Sequence, residues 1–252
     1  MNKLIIGEQI VKRYGEGDEQ RIVLDEVSVE INEGEFVAVM GPSGSGKSSL
    51  LFALSGMDKV DGGKVVFDGK ELSSASENEL SEIRRTQMGF VFQQPTMLKN
   101  LNILDNIILT SIHDNKKNAA KIVEKAEALM ERVGISELEQ RDTAQVSGGQ
   151  LQRAGICRAL MNSPKIIFGD EPTGSLNSKS AQEIMDLLST INADGTAVML
   201  VTHDVKVAAR TNRIMFMHDG QIVSELNLPK FGGKDLDDRV EKVTAIMLEL
   251  GV

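Results

Sequence analysis

The sequence predicts an α/β protein: a mostly parallel sheet flanked by helices, an antiparallel β region at the N-terminus, and a helical subdomain inserted in the middle of the chain. Three observations carry this. Short, almost wholly apolar runs recur at 36–40 (FVAVM), 88–92 (MGFVF), 165–168 (KIIF) and 196–201 (TAVMLV), the pattern of strands buried on both faces. Segments of helical spacing separate them, and strands alternating with helices imply parallel pairing with helices on both faces of the sheet. From roughly 95 to 160 the pattern is helical and strand-like runs cease.

The elements follow in order. Residues 4–14 and 22–31 read as strands joined by the polar loop GEGDEQ. FVAVM ends at Gly41, and SSLLFALS then predicts a helix from Lys47 to Ser55, stopping near Gly56. KVVFD at 64–68 is a further strand, followed by a polar helix around 76–86 and the strand at 88–92. Between about 101 and 139 the spacing is helical, with Ile122, Ala126, Leu129 and Val133 on one face. A second helix runs on after Gln150 through LQRAGICRALM to Pro164. Beyond the strand at 165–168 come a helix near 178–191, the strand at 196–201, and strands at 213–217 and 221–225 around a His-Asp-Gly turn. Residues 235–250 form an amphipathic helix with Leu236, Val240, Val243, Met247 and Leu250 on one face. Such a tail is expected to pack on its own domain, with docking to a partner as the alternative.

Bulk properties exclude several classes. Hydrophobic residues at 41% and charged residues at 26% are those of an ordinary soluble domain. The net charge of −9, without a dense Lys/Arg cluster, argues against nucleic acid as a partner. No run approaches the roughly 18 apolar residues of a membrane span, and the apolar patch near the N-terminus is too short for a signal peptide. The single cysteine, Cys157, has no intramolecular partner and no zinc-type spacing, which points to a reducing, cytoplasmic setting.

The segment GPSGSGKS, comprising Gly41, Pro42, Ser43, Gly44, Ser45, Gly46, Lys47 and Ser48 and followed by Ser49, matches the phosphate-binding loop GxxxxGKS/T in full. Its glycines let successive N–H groups turn inward around phosphate oxygens, and the helix that it opens adds its N-terminal amides. Lys47 supplies a positive charge for the β- and γ-phosphates and Ser48 a hydroxyl for Mg²⁺. The motif lies between a predicted strand and a predicted helix, so a P-loop NTPase core that binds a nucleotide with Mg²⁺ is expected. In KIIFGDEPTG an apolar strand delivers Asp170 and Glu171 to the sheet edge where ligands bind in open α/β folds. Asp170 is suited to hold Mg²⁺, and Glu171 to polarise the water that attacks the γ-phosphate.

Residues 146–153, VSGGQLQR, place Ser147, Gly148, Gly149 and Gln150 at a helix start, a second anion site. This segment resembles the signature motif of ABC ATPases, usually LSGGQ, and its position shortly before the acidic strand matches that family. The resemblance covers about residues 3–226, with the motifs in the family's order. It implies that the nucleotide is ATP, and that the signature of one copy closes over the ATP held by the phosphate loop of a second copy, in a head-to-tail dimer. It also implies that Tyr14 stacks on adenine, although a strand-packing aromatic is the plain alternative. Gln93 (or its neighbour Gln94) resembles the glutamine that senses Mg²⁺ and the γ-phosphate and links to the membrane subunit, and His203 in VTHD the histidine that contacts the γ-phosphate.

Three residues depart from the family pattern or from helix propensity. Val146 stands where leucine is usual, and Asn177 where many relatives carry aspartate, which implies altered communication across the dimer. Gly155 costs its helix about 1 kcal/mol and suggests close packing, while Cys157 reads as simply buried.

The implied organisation is an ATPase domain over 1–226, with its helical subdomain at about 95–160, and a C-terminal extension over 227–252. The wider pattern resembles the branch serving macrolide export, lipoprotein release and peptide-antibiotic resistance. This implies a separate permease at the inner face of the membrane and amphipathic peptides, lipid-like molecules or drugs as substrates. A sensor module of a membrane complex is the alternative with the same catalytic motifs. The spacing between phosphate loop and signature lacks the long coiled coil of chromosome and repair ATPases, the chain has one cassette where translation factors carry two, and no NKxD segment marks a GTPase.

Overall fold

The computed structural model describes residues 2–15, 17–112 and 116–251; Glu16, within the polar loop after Tyr14, lies outside them. Two sheets share one core. The first is antiparallel, in the order β2-β1-β4-β5, built from β1 (Lys3–Tyr14), β2 (Arg21–Asn32), β4 (Gly62–Phe67) and the two-residue β5 (Lys70–Glu71). The second has the order β10-β9-β3-β8-β7-β6, from β3 (Phe36–Met40), β6 (Met88–Phe92), β7 (Ile166–Asp170), β8 (Ala197–Val201), β9 (Arg213–His218) and β10 (Gln221–Asn227). Every pairing in it is parallel except β9 with β10. The expected mostly parallel sheet and N-terminal antiparallel region are therefore both present.

The burial of the strands explains their apolar sequences. All five residues of β3 and of β8 are buried, because helices cover both faces of the parallel sheet. α1 (Lys47–Leu54) fills the space between the two sheets, with Leu50, Leu51 and Leu54 in one cluster with Val37, Val39, Phe168 and Val201. α6 (Ser178–Ala193) covers the opposite face through Ile184, Leu188 and Ile191 against Ile167, Val198 and Leu200. α2 (Glu77–Gln87) is started by a capping box between Ser76 and Glu79.

α3 (Ile103–Ile112), α4 (Ala119–Val133) and α5 (Gly148–Leu160) build a separate cluster around Ile107, Ala126, Met130 and Cys157. α5 belongs to both regions: Ala154 and Cys157 face the helical cluster, Ile156 and Leu160 the sheet. The helical stretch read over 101–139 is thus two helices, separated at the polar run HDNKKN; residues 113–115 of that run lie outside the described residues. α5 also starts three residues before the expected point, because Ser147 and Gln150 form a reciprocal cap that draws Gly148 and Gly149 into the first turn.

After the short α7 (Val205–Ala208), β9 and β10, the tail forms α8 (Leu236–Leu250). Its Val243 is buried against Ala208, Ala209, Ile214 and Phe216, with Leu236, Val240, Met247 and Leu250 packed around them. The amphipathic face therefore lies on its own chain. Among the described residues, no helix is long and apolar enough to cross a membrane.

Candidate nucleotide site

The site sits at the C-terminal edge of the parallel sheet, where β3 and β7 end on either side of β8. After β3 the chain enters the phosphate loop, and two of its glycines are required by space as well as by backbone angle. A Cβ on Gly41 (φ 155°) would lie 2.1 Å from the Met217 carbonyl oxygen, and one on Gly46 (φ 99°) 2.6 Å from that of Val23. Gly46 then caps α1 in the left-handed region. The Lys47 ammonium donates to the carbonyls of Gly41 and Pro42 at 2.9 and 2.7 Å, folding back over the loop. Burial pulls its pKa down from the ordinary lysine value, opposed by the charges of Glu171 and Asp170. Ser45 is buried within the loop, and its hydroxyl has no hydrogen-bond partner among the described residues.

β7 brings Asp170 to the same edge. The Ser48 hydroxyl donates to Asp170 Oδ1 at 2.9 Å, joining residues 122 positions apart. Burial raises the Asp170 pKa, and neighbouring Glu171 adds to the rise, against the opposing effects of Ser48 and Lys47. A hydroxyl and a half-buried carboxylate within hydrogen-bonding distance, beside a cradle of backbone amides, are the hard oxygen donors that Mg²⁺ prefers. The residues fit a magnesium–phosphate complex. Glu171 follows in a left-handed backbone conformation (φ 49°), rare for a non-glycine residue and a form of strain that clusters at functional sites. Its Oε1 accepts from the backbone N–H of His203 at 3.1 Å and lies 2.7 Å from the His203 imidazole Nδ1.

Tyr14, half exposed, reaches the rim of this edge. Its hydroxyl donates to Asp58 at 2.6 Å, and Lys12 lies 5.1 Å from its ring centroid. Burial and the Asp58 contact raise its pKa, while Ser49, the residue after the loop serine, acts the other way. Gln93, after β6, is held by the loop that follows the acidic pair. The Ser175 hydroxyl donates to its carbonyl at 2.8 Å, and a Cβ on Gly174 would come within 2.9 Å of its side-chain amide.

The signature residues lie elsewhere. Gly148 faces Leu176 and Gly149 faces Ser180 at the start of α6, and among the described residues no hydrogen bond links Ser147–Gln150 to the phosphate loop. Asn177 caps α6, accepting from the Ser180 N–H at 3.0 Å.

Sequence reading missed three supporting residues. Lys12 and Asp58 form an ion pair at 2.6 Å that steadies Tyr14. Gln152, fully buried in α5, donates to the carbonyls of Phe92 and Pro172 at 2.9 and 2.7 Å, so it ties the signature helix to Gln93's strand and to the turn after Glu171. The one available signal was a polar residue on the buried face of a helix. Gly155 does not have the tight packing expected of it: a Cβ there would meet Pro95 and Met97 at 3.8 and 3.9 Å, ordinary contacts.

A phosphate loop between strand and helix, facing an acidic pair at the end of a parallel strand, is the architecture of a P-loop ATPase. The chain belongs to the ABC transporter family, whose model matches residues 24–174, and is an ATP hydrolase of that type. It is 41% identical over 226 residues to the macrolide export ATP-binding/permease protein MacB of Pasteurella multocida, an alignment covering 89% of this chain and 35% of that protein. The chain therefore spans about a third of the length of that relative. It is also 41% identical to an uncharacterized ABC transporter ATP-binding protein of Methanocaldococcus jannaschii, over 89% of this chain and all of the relative. Among solved structures, the dimeric, post-hydrolysis state of the ATP-binding cassette MJ0796 bound to ADP and phosphate superposes with a TM-score of 0.76 at 39% identity, covering 90% of this chain and 100% of that one.

Proposed function

We propose that two copies of this chain close head to tail around two ATP molecules and drive a membrane permease. The observation that carries this reading is the pairing of Ser48 with Asp170 at the mouth of the phosphate loop, with Glu171 and His203 joined beside it. The loop amides of 41–48 and Lys47 hold the phosphates, and Tyr14 supports the adenine. Ser48, Asp170 and Gln93 would hold Mg²⁺, which when bound would neutralise charge on the phosphate oxygens. Glu171 takes a proton from the attacking water, and His203 holds Glu171 in place and donates toward the γ-phosphate. The Ser147–Gln150 segment of the second copy, its helix N-terminus pointed outward, completes the site. That MJ0796 is recorded as a dimer with ADP and phosphate supports this arrangement.

Gln93 passes the state of the site to the permease. A groove of about 350 Å³ lined by Met57, Arg84, Phe90, Phe92 and Arg158 begins one residue before it and is the place we assign to the permease. The relationship to MacB, a macrolide export protein, supports export of a drug; the same reading takes in amphipathic peptides and lipid-like molecules, with the chain held at the inner face of the membrane by its permease. Light scattering on the Glu171→Gln protein tests the core of the proposal: the mass doubles on adding ATP and Mg²⁺. A protein that stays monomeric without binding ATP sinks it.

A further inference from the structure

Beyond β10 the chain returns along the core, and one buried charge fastens it there. Arg239, in the first turn of α8, is 1% exposed. A buried guanidinium is tolerated only where its donors are matched, and here they are. Nε donates to Asp235 Oδ2 at 2.6 Å, Nη1 to the carbonyls of Ala209 and Thr211 at 3.2 and 3.3 Å, and Nη2 to the carbonyl of Pro229. The guanidinium also lies 5.2 Å from the centroid of the Phe231 ring, which Arg210 approaches at 5.5 Å. Arg210 is itself anchored to Asp186 of α6.

Ala209 directly follows α7 and Thr211 lies two residues further on, and a helix end leaves such carbonyls without partners of its own. α7 is four residues long, too short to persist on its own hydrogen bonds. It is fixed at its start by Asp204, whose carboxylate accepts from the Lys206 N–H at 2.7 Å, and at its end by Arg239. His203 is the residue before that cap. Its side chain is 73% exposed, so packing does little to hold it. The ring's position depends on its contact with Glu171, on Thr202, anchored before it to Val39 of β3, and on the element that continues from it.

We infer that Arg239 is a positioning residue for hydrolysis: by clamping the C-terminal end of α7 it keeps His203 where its ring meets Glu171. The tail is then part of the catalytic apparatus, although it touches no nucleotide. The inference rests on the roles given to Glu171 and His203 under Proposed function, and its test separates the two.

The test uses the full chain with four readouts: kcat, ATP affinity by calorimetry, thermal midpoint, and the NMR signal of the His203 ring, one of three histidines. Arg239→Met keeps the stem and removes the guanidinium. It lowers kcat about tenfold through misplacement of His203, leaves ATP affinity within about twofold, and shifts or broadens the His203 resonance. Arg239→Lys, which keeps a cation near Phe231, restores part of the rate. His203→Ala is the reference. If it turns over slowly while Arg239→Met keeps wild-type kcat at a lower thermal midpoint, Arg239 merely fastens the tail and the inference is overturned with the catalytic reading intact. If His203→Ala turns over at the wild-type rate, the role of His203 fails and the inference with it. Should Arg239→Met not fold, Arg239→Lys decides: reduced kcat with retained affinity supports the clamp, and unchanged kcat overturns it.

Discussion

Glu171 Oε1 takes two contacts from one residue, the backbone N–H of His203 at 3.1 Å and its imidazole Nδ1 at 2.7 Å. One carboxylate oxygen is thereby committed to orientation, and in the proposed mechanism the base acts through the other. Glutamine keeps an oxygen for the His203 N–H but offers no base. Glu171→Gln is expected to lower single-turnover hydrolysis by about 10²–10⁴-fold, the usual worth of a positioned base, with ATP affinity retained. Rapid-quench measurement with stoichiometric ATP checks this.

Asp170 gives a prediction for the empty protein. Its native pKa lies above the ordinary 3.8 because of burial and the nearby charge of Glu171, which together outweigh the lowering by the Ser48 hydrogen bond and the Lys47 charge. The folded chain holds this proton more tightly than the unfolded chain, so stability from this group is full below 3.8 and falls as pH rises through the native value. At pH 7 the charged carboxylate is a net cost. Asp170→Asn, which keeps an acceptor for Ser48, is expected to raise the thermal midpoint of the nucleotide-free protein at pH 7, with the gain shrinking toward pH 4. Melting curves across that range, without Mg²⁺, measure it.

How far the site was legible follows from how its parts are coded. The phosphate loop is contiguous, and its glycine spacing states its geometry, as the clashes at Gly41 and Gly46 bear out. Asp170 was legible from 122 residues away because a short apolar run can only be a buried strand, and a strand end in such a sheet is a fixed place. The Lys12–Asp58–Tyr14 cluster was not legible, because it joins a strand to the loop after α1 through tertiary contact alone. Arg239 was hidden for the same reason. In an amphipathic pattern it reads as a solvated charge, and only partners brought in by the fold, the carbonyls of Ala209, Thr211 and Pro229 with Asp235, make its burial favourable.

Gly155 corrects an expectation and yields a substitution. It sits inside α5, where glycine is the least favourable residue apart from proline, yet a Cβ there meets only ordinary contacts. Gly155→Ala is expected to stabilise the fold by about 0.5–1 kcal/mol. Urea titration would show a higher midpoint at an unchanged slope. Gly89 is the counterexample, since a Cβ there would lie 2.9 Å from the Ala159 carbonyl oxygen.

Cys157 is fully buried in the helical cluster, and burial pushes its thiol pKa up to about 12. Thiolate is the reactive form, so the native protein is expected to resist iodoacetamide at pH 8. Labelling should appear only with global or helical-cluster opening, and mass spectrometry along a denaturant series follows it.

Asn177 separates what a residue does within one chain from what it does between two. Its side chain caps α6 through the Ser180 N–H, and Ser180 lies against Gly149, so a Cβ on that glycine would press on Ser180 at 3.2 Å. The cap therefore holds the first turn of α6 in register with the signature. Asparagine and aspartate cap equally well, so the charge usual in relatives is not needed for this contact. Asn177→Asp is expected to leave monomer stability within about 0.5 kcal/mol. Asn177→Ala, by contrast, costs about 1 kcal/mol, or roughly 2–4 °C in thermal midpoint for a chain of this size. The functional readout divides differently. If the added charge acts only across the dimer, Asn177→Asp changes the ATP dependence of dimer formation in a Glu171→Gln background while its melting curve is unmoved. A change in both would place its effect in the α6 cap instead.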